Sequence, residues 1–194
     1  VVIAVAVASI VAFMKQAVDN KNGIMKIETM TITSPSFAHN GTIPKKYTCD
    51  GENVSPELRI EGVPKEAKSL ALIMDDPDAP METWVHWIIW NLTRLEGDPP
   101  SAIEIEENVG SFNTLVSGRN NSLVVRKAIE GITSFGKPGY GGPCPPSGTH
   151  RYFFRAYALD VALNIPNGAG RGDLERAMEG HILARAELVG FYGR

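Results

Sequence analysis

The chain has 194 residues, 43% of them apolar and 21% charged, with a formal net charge of −3 and a pI near 5.8. That length and balance fit one domain with a substantial core plus a terminal extension, and they exclude a disordered chain. The mild acidity, with no run of like charge, also argues against a nucleic-acid binder, which carries a basic stripe.

Residues 1–14, VVIAVAVASIVAFM, form an uninterrupted apolar run ended by Lys15. It is short for a membrane span, which takes about 20 residues, and suits the apolar region of an export signal or an anchor. Residues 1–25 are therefore read as a leader and a polar linker, and 26–194 as the folded domain. Strand patterns then dominate. KIETMTITS (26–34) is β-branched and mixed, and TIPKKYTCDGENVSP (42–56) is a loop. ELRIEGVP (57–64) reads as a short strand and turn, and SLALIMDD (69–76) as a buried strand running into DPDAP. WVHWIIWNL (84–92) and RYFFRAYALD (151–160) are two further strands. Residues 101–135 give no clear pattern. Asp173, after Gly172, is the expected N-cap of a short helix carrying Leu174, Ala177 and Met178. HILARAELVGFYGR (181–194) alternates at Ile182, Ala184, Ala186 and Leu188 as a final strand. Many short strands and little helix predict a mainly β fold, an antiparallel β-sandwich with one or two small peripheral helices.

Three strand ends carry polar residues. Alternation puts Leu70, Leu72, Met74 and Asp76 on one face, so a carboxylate ends an apolar row. Alone, the following loop reads as an Asx turn on Asp76 or Asp78, stiffened by Pro77 and Pro80, with one of their peptide bonds open to being cis. In 84–92, alternation puts Trp84, His86, Ile88 and Trp90 on one face and Val85, Trp87 and Ile89 on the other. A histidine among tryptophans is more often a core residue than a catalyst. In 150–155, His150, Tyr152 and Phe154 share a face opposite Arg151, Phe153 and Arg155. Tyr152 packing and Arg151 reaching solvent stand as the plain alternatives.

Together these ends suggest one shallow pocket. Imidazole N–H, tyrosine O–H and loop N–H donors would hold a phosphate or carboxylate without a lysine, with Asp76 orienting a histidine or accepting from an amine. The stretch GGPCPPSG (141–148) would form a rim of low conformational freedom. The two cysteines, Cys49 and Cys144, are too few for a disulfide scaffold, and no Cys/His spacing suits zinc, so no metal or cofactor is expected. No GxSxG elbow or P-loop occurs. Ser147 and Cys144 are the nearest nucleophiles, and acid–base hydrolysis of a phosphoester is the second reading.

DDPDAP, the VHW strand and GYGGPCPPSGTHRYFFRAYALD resemble the phosphatidylethanolamine-binding protein family, in particular its prokaryotic, Raf-kinase-inhibitor-like branch. TCDGENVSPEL (48–58) and ILARAELVGFYGR (182–194) are similar to the same branch. The resemblance implies a two-sheet sandwich with an anion pocket lined by Asp76, Asp78, His86, His150 and Tyr152. Pro143 to Pro146 would be its rim, with Cys144 and Pro145 beside the ligand. It also implies a non-enzymatic regulator that binds a small anion or phospholipid head group and inhibits a kinase or serine protease. Residues 104–134 are longer than that branch has, and the tail lacks the helix that covers the pocket in animal members. In an exported chain Cys49 and Cys144 could pair, closing a long loop and adding about 3–5 kcal/mol. In a cytoplasmic chain they are free thiols.

Overall fold

A computed structural model describes residues 29–93, 102–108 and 129–194. The readings of the leader and linker (1–25) and of most of the patternless stretch fall outside these residues. The strands are β1 (Thr31–Thr33), β2 (Gly41–Thr42), β3 (Leu58–Glu61), β4 (Ser69–Asp76), β5 (Trp84–Thr93), β6 (Ala102–Ile105), β7 (Ile129–Glu130), β8 (Thr149–Leu159) and β9 (Ile182–Gly193). Among the described residues helix is limited to α1 (Arg171–Met178) and a 3-10 turn at Lys45–Tyr47.

The strands form two sheets, β1-β3-β6 and β2-β9-β8-β4-β5-β7. All pairings are antiparallel except β2 with β9. The core is built from residues of both sheets. Ile32, Leu58, Ile60, Ile103 and Ile105 come from the smaller one. Leu70, Leu72, Met74, Trp87, Phe154 and Leu188 come from the larger. A second cluster forms on the reverse face of the larger sheet, where Ala71, Ile73, Ile88 and Trp90 meet Leu174 and Met178 of α1. β4 is therefore buried along its whole length, which is why its sequence is an apolar run and not an alternation. The predicted mainly β sandwich is the observed fold.

Two local readings change. α1 begins two residues before Asp173, with Gly170 as its N-cap. Asp173 sits at the third helical position, where its carboxylate accepts the Gly170 N–H at 3.1 Å. The face assignment of β5 also fails, because the strand is bulged twice. Met74 pairs with Trp87 but Asp75 pairs with Val85, and Leu70 pairs with Leu92 but Ala71 with Trp90. The extra residues are His86 and Asn91, and Asn91 takes φ +55°. Each bulge resets the period of two. Val85 consequently joins Ile88 and Trp90 on the reverse face, while Trp87 and Ile89 face the main core.

Candidate functional site

The site lies where β4, β5 and β8 meet the strap 133–148. β4 ends with Asp76, 3% exposed, at the end of the row Leu70, Leu72, Met74. Its Oδ1 accepts the Asp78 N–H at 2.8 Å, so the Asx turn is present. Its Oδ2 accepts from His150 Nδ1 at 2.7 Å. Both carboxylate oxygens are engaged, and His150, 8% exposed, is oriented by one of them. The peptide bonds at Pro77 and Pro80 are trans.

The bulge in β5 turns His86 toward β8, where its ring lies edge-on to Tyr152, 5.2 Å between centroids. His86 Nδ1–H donates to the Gly141 carbonyl at 2.6 Å, and the Gly141 N–H returns a bond to the His86 carbonyl at 2.9 Å. Burial pushes the His86 pKa below the usual histidine value, which keeps the ring neutral near pH 7. Phe135, 40% exposed, stands edge-on to both His86 and Trp84.

Tyr152 is fully buried, and its hydroxyl, sealed from solvent, makes no hydrogen bond of ordinary geometry among the described residues, with the Asp76 carboxylate and the Cys144 backbone beside it. Burial, then the neighbouring Asp76 carboxylate, pushes its pKa far above the usual tyrosine range. The Cys144 backbone acts in the opposite sense, favouring the phenolate. A buried hydroxyl without a partner is rare, because its desolvation is uncompensated.

The strap is tied on both sides. Gly142 N–H donates to Asn53 Oδ1 at 2.7 Å, and Cys49 N–H donates to the Pro143 carbonyl at 3.1 Å. Cys49 and Cys144 form a disulfide across 95 positions. The Tyr140 hydroxyl donates to the Tyr47 carbonyl. The glycine pair is dictated by this crowding. A Cβ on Gly141 would lie 2.3 Å from the Phe135 ring, and one on Gly142 2.4 Å from the Tyr47 carbonyl oxygen. At its far end the strap joins β9: Gly148 and Arg194 exchange backbone hydrogen bonds. Tyr192 and Arg194 both reach Asp50, at 2.7 and 3.1 Å.

The structure thus brings Asp76, His86, His150 and Tyr152 together, with Cys144 approaching through its backbone and not its sulfur. Pro145 is buried in the strap and makes no hydrogen bond to these side chains. Asp78 is turned elsewhere: Arg151 holds it through Nε at 2.9 Å, Nη2 at 2.6 Å and its own backbone N–H at 2.9 Å. Those Arg151 bonds hold the Asp78 carboxyl down at about 2. Arg151, read from sequence as free to reach solvent, is the clamp of the 76–80 loop. The donor inventory changes as well. Both imidazoles direct their Nδ1–H groups inward, to Gly141 and Asp76, so neither N–H remains for a ligand on a neutral ring. Sequence reasoning missed Phe135, Asn53 and the Gly141 carbonyl, and only the unusual glycine pair hinted at the last.

The reverse face carries a separate charge cluster. Asp75, 1% exposed, accepts from Arg155 at 2.5 Å and from Arg171 of α1 at 2.7 Å. It fastens the helix to the sheet. Among the described residues no group of His, Cys, Asp and Glu side chains has metal-binding geometry.

The family model described as phosphatidylethanolamine-binding protein matches residues 33–193. A UPF0098 protein of Methanothermobacter thermautotrophicus is 49% identical over 165 residues, 85% of this chain and 99% of its own length. The crystal structure of the phosphatidylethanolamine-binding protein homologue CT736 from Chlamydia trachomatis superposes with a TM-score of 0.71 at 40% identity, covering 86% of this chain and 99% of CT736. E. coli YbcL, described as a member of the mammalian family, superposes with a TM-score of 0.68 at 25% identity, covering 85% of this chain and 98% of YbcL. With the sandwich, the bulged histidine strand and the fastened strap in place, these likenesses identify the chain as a member of the phosphatidylethanolamine-binding protein family.

Proposed function

We propose that the chain binds a small oxyanion of the phosphate or carboxylate class at Asp76, His86, His150 and Tyr152, and that occupancy regulates a partner protein. The observation that carries the reading is the convergence of two imidazoles, each oriented through its Nδ1, on the Asp76 carboxylate and the Tyr152 ring. The partner class, a kinase or serine protease, follows from the family resemblance alone.

Hydrolysis has weaker support. An Asp–His pair is the usual way to orient a base, yet Cys144 is held in the disulfide and Ser147 is exposed on the strap. Titration with phosphoethanolamine and acetate, followed by NMR on the wild type and on His150→Ala, tests the binding reading. Shift changes at Tyr152 and His86 that weaken in the variant are expected. Identical responses in both proteins would remove the pocket assignment.

A further inference from the structure

The Cys49–Cys144 bond lies on the surface of the protein. Both cysteines are exposed, although Gly141, Gly142, Pro143 and Pro145 around Cys144 are buried. A thiol in solution therefore reaches the pair without the fold opening, unlike a disulfide enclosed in a core. The two sulfurs differ in their surroundings. Arg194 Nη1 stands 3.7 Å from Cys144 Sγ, and among the described residues Cys49 Sγ has no such cation. The guanidinium is anchored there. Asp50, itself held by the Tyr192 hydroxyl, accepts from Arg194 at 3.1 Å, and the Arg194 backbone exchanges hydrogen bonds with Gly148.

A cation beside a sulfur lowers the pKa of the corresponding thiol, and the thiol of lower pKa is the better leaving group in exchange. We propose that Cys49–Cys144 is a thiol-exchange site of the folded protein, at which low-molecular-weight thiols modify Cys49. The incoming thiolate attacks Cys49 Sγ. The S–S bond breaks with its electron pair passing to Cys144 Sγ, which leaves as a thiolate beside Arg194. One disulfide replaces another, so this step needs no oxidant or reductant. A second thiolate then attacks the small-molecule sulfur of the mixed disulfide, and Cys49 departs and takes a proton. Two small thiols are thereby oxidised to their disulfide and the protein pair is reduced. The chain stays folded through both steps because the strap keeps its other ties. Gly142 remains on Asn53, the Tyr140 hydroxyl on the Tyr47 carbonyl, and the Cys49 N–H on the Pro143 carbonyl. None of this depends on what binds at Asp76, His86 and His150.

Brief treatment of the full native chain with glutathione tests this, with iodoacetamide in the same solution to alkylate the released thiolate before it returns. Peptide mass spectrometry of the first products should find glutathione on Cys49 and the alkyl group on Cys144, in several-fold excess over the reverse. The rate should stay level as urea is added up to the unfolding transition. Arg194→Gln keeps the backbone bonds to Gly148 and removes the cation. It should slow the exchange and spread glutathione over both cysteines, which loss of a merely structural Arg194 would not do. Glutathione chiefly on Cys144 of the wild type, or divided evenly, overturns the proposal. A rate that climbs with urea well below the transition places exchange in an opened state and overturns it as well, as does a pair that resists glutathione. Should Arg194→Gln melt early, the wild-type map and the urea series decide.

Discussion

Tyr152→Phe isolates what the buried phenol hydroxyl contributes to stability. The phenol ring is fully buried and packs edge-on against His86, and a phenylalanine ring retains both relations. Only the sealed, unpartnered hydroxyl is lost. Such a group carries a desolvation penalty of about 1–3 kcal/mol that no bond offsets. The void left by one oxygen returns part of that through lost packing. A net stabilisation of about 1 kcal/mol is expected, which for a domain of this size raises Tm by about 2–4 °C. Thermal melts should be run in a buffer free of phosphate and carboxylate, which would occupy the wild type and hide the gain. A variant that melts below the wild type by a comparable amount refutes the reasoning, since the hydroxyl would then be satisfied within the folded protein.

Two further outcomes follow from the strap and from His86. The disulfide closes a loop of 95 positions, for which chain entropy gives up to about 4.7 kcal/mol. The double variant Cys49→Ser, Cys144→Ser should lose about 3–4 kcal/mol in urea unfolding, and a loss under about 1 kcal/mol would contradict that assignment. His86 has a folded pKa below its ordinary value of 6.5, so the unfolded ring takes a proton first as pH falls. Its stabilising contribution is complete above pH 6.5 and is lost below it, at up to about 1.4 kcal/mol per pH unit. Urea midpoints across that window should show the slope in the wild type and a shallower one in His86→Asn; equal slopes would assign the effect to other groups.

The parts of this fold legible in the sequence are those with an undisturbed period. β4 reads as buried because Ser69–Asp76 is apolar on both faces, and β8 reads correctly because His150, Tyr152 and Phe154 alternate without interruption. β5 does not, since a bulge inserts a residue without changing composition, and nothing in WVHWIIWNL marks His86 or Asn91 as the extra one. The consequence is more than a miscount: the bulge is what carries His86 to the Tyr152 face. The proton positions were illegible for a similar reason. They depend on Gly141 and Asp76, partners 55 and 74 positions away from their histidines. The helix start was missed because Asp173 suits both an N-cap and the third position of a capping box, and only the backbone of Gly170 distinguishes them.

The attachment of the strap to β9 has a consequence for when the site exists. Gly148 pairs with Arg194, and Asp50 is held by Tyr192 and Arg194, so residues from opposite ends of the described fold meet at one rim. β9 also pairs along nearly the whole of β8 and in parallel with β2. Contacts this distant in sequence form late and slowly, because their loop entropy is lost before any packing offsets it. On a ribosome the histidines, Asp76 and Tyr152 all emerge well before β9, yet the rim beside them closes only after β9 docks. The rim is therefore absent from any nascent chain that stops short of β9.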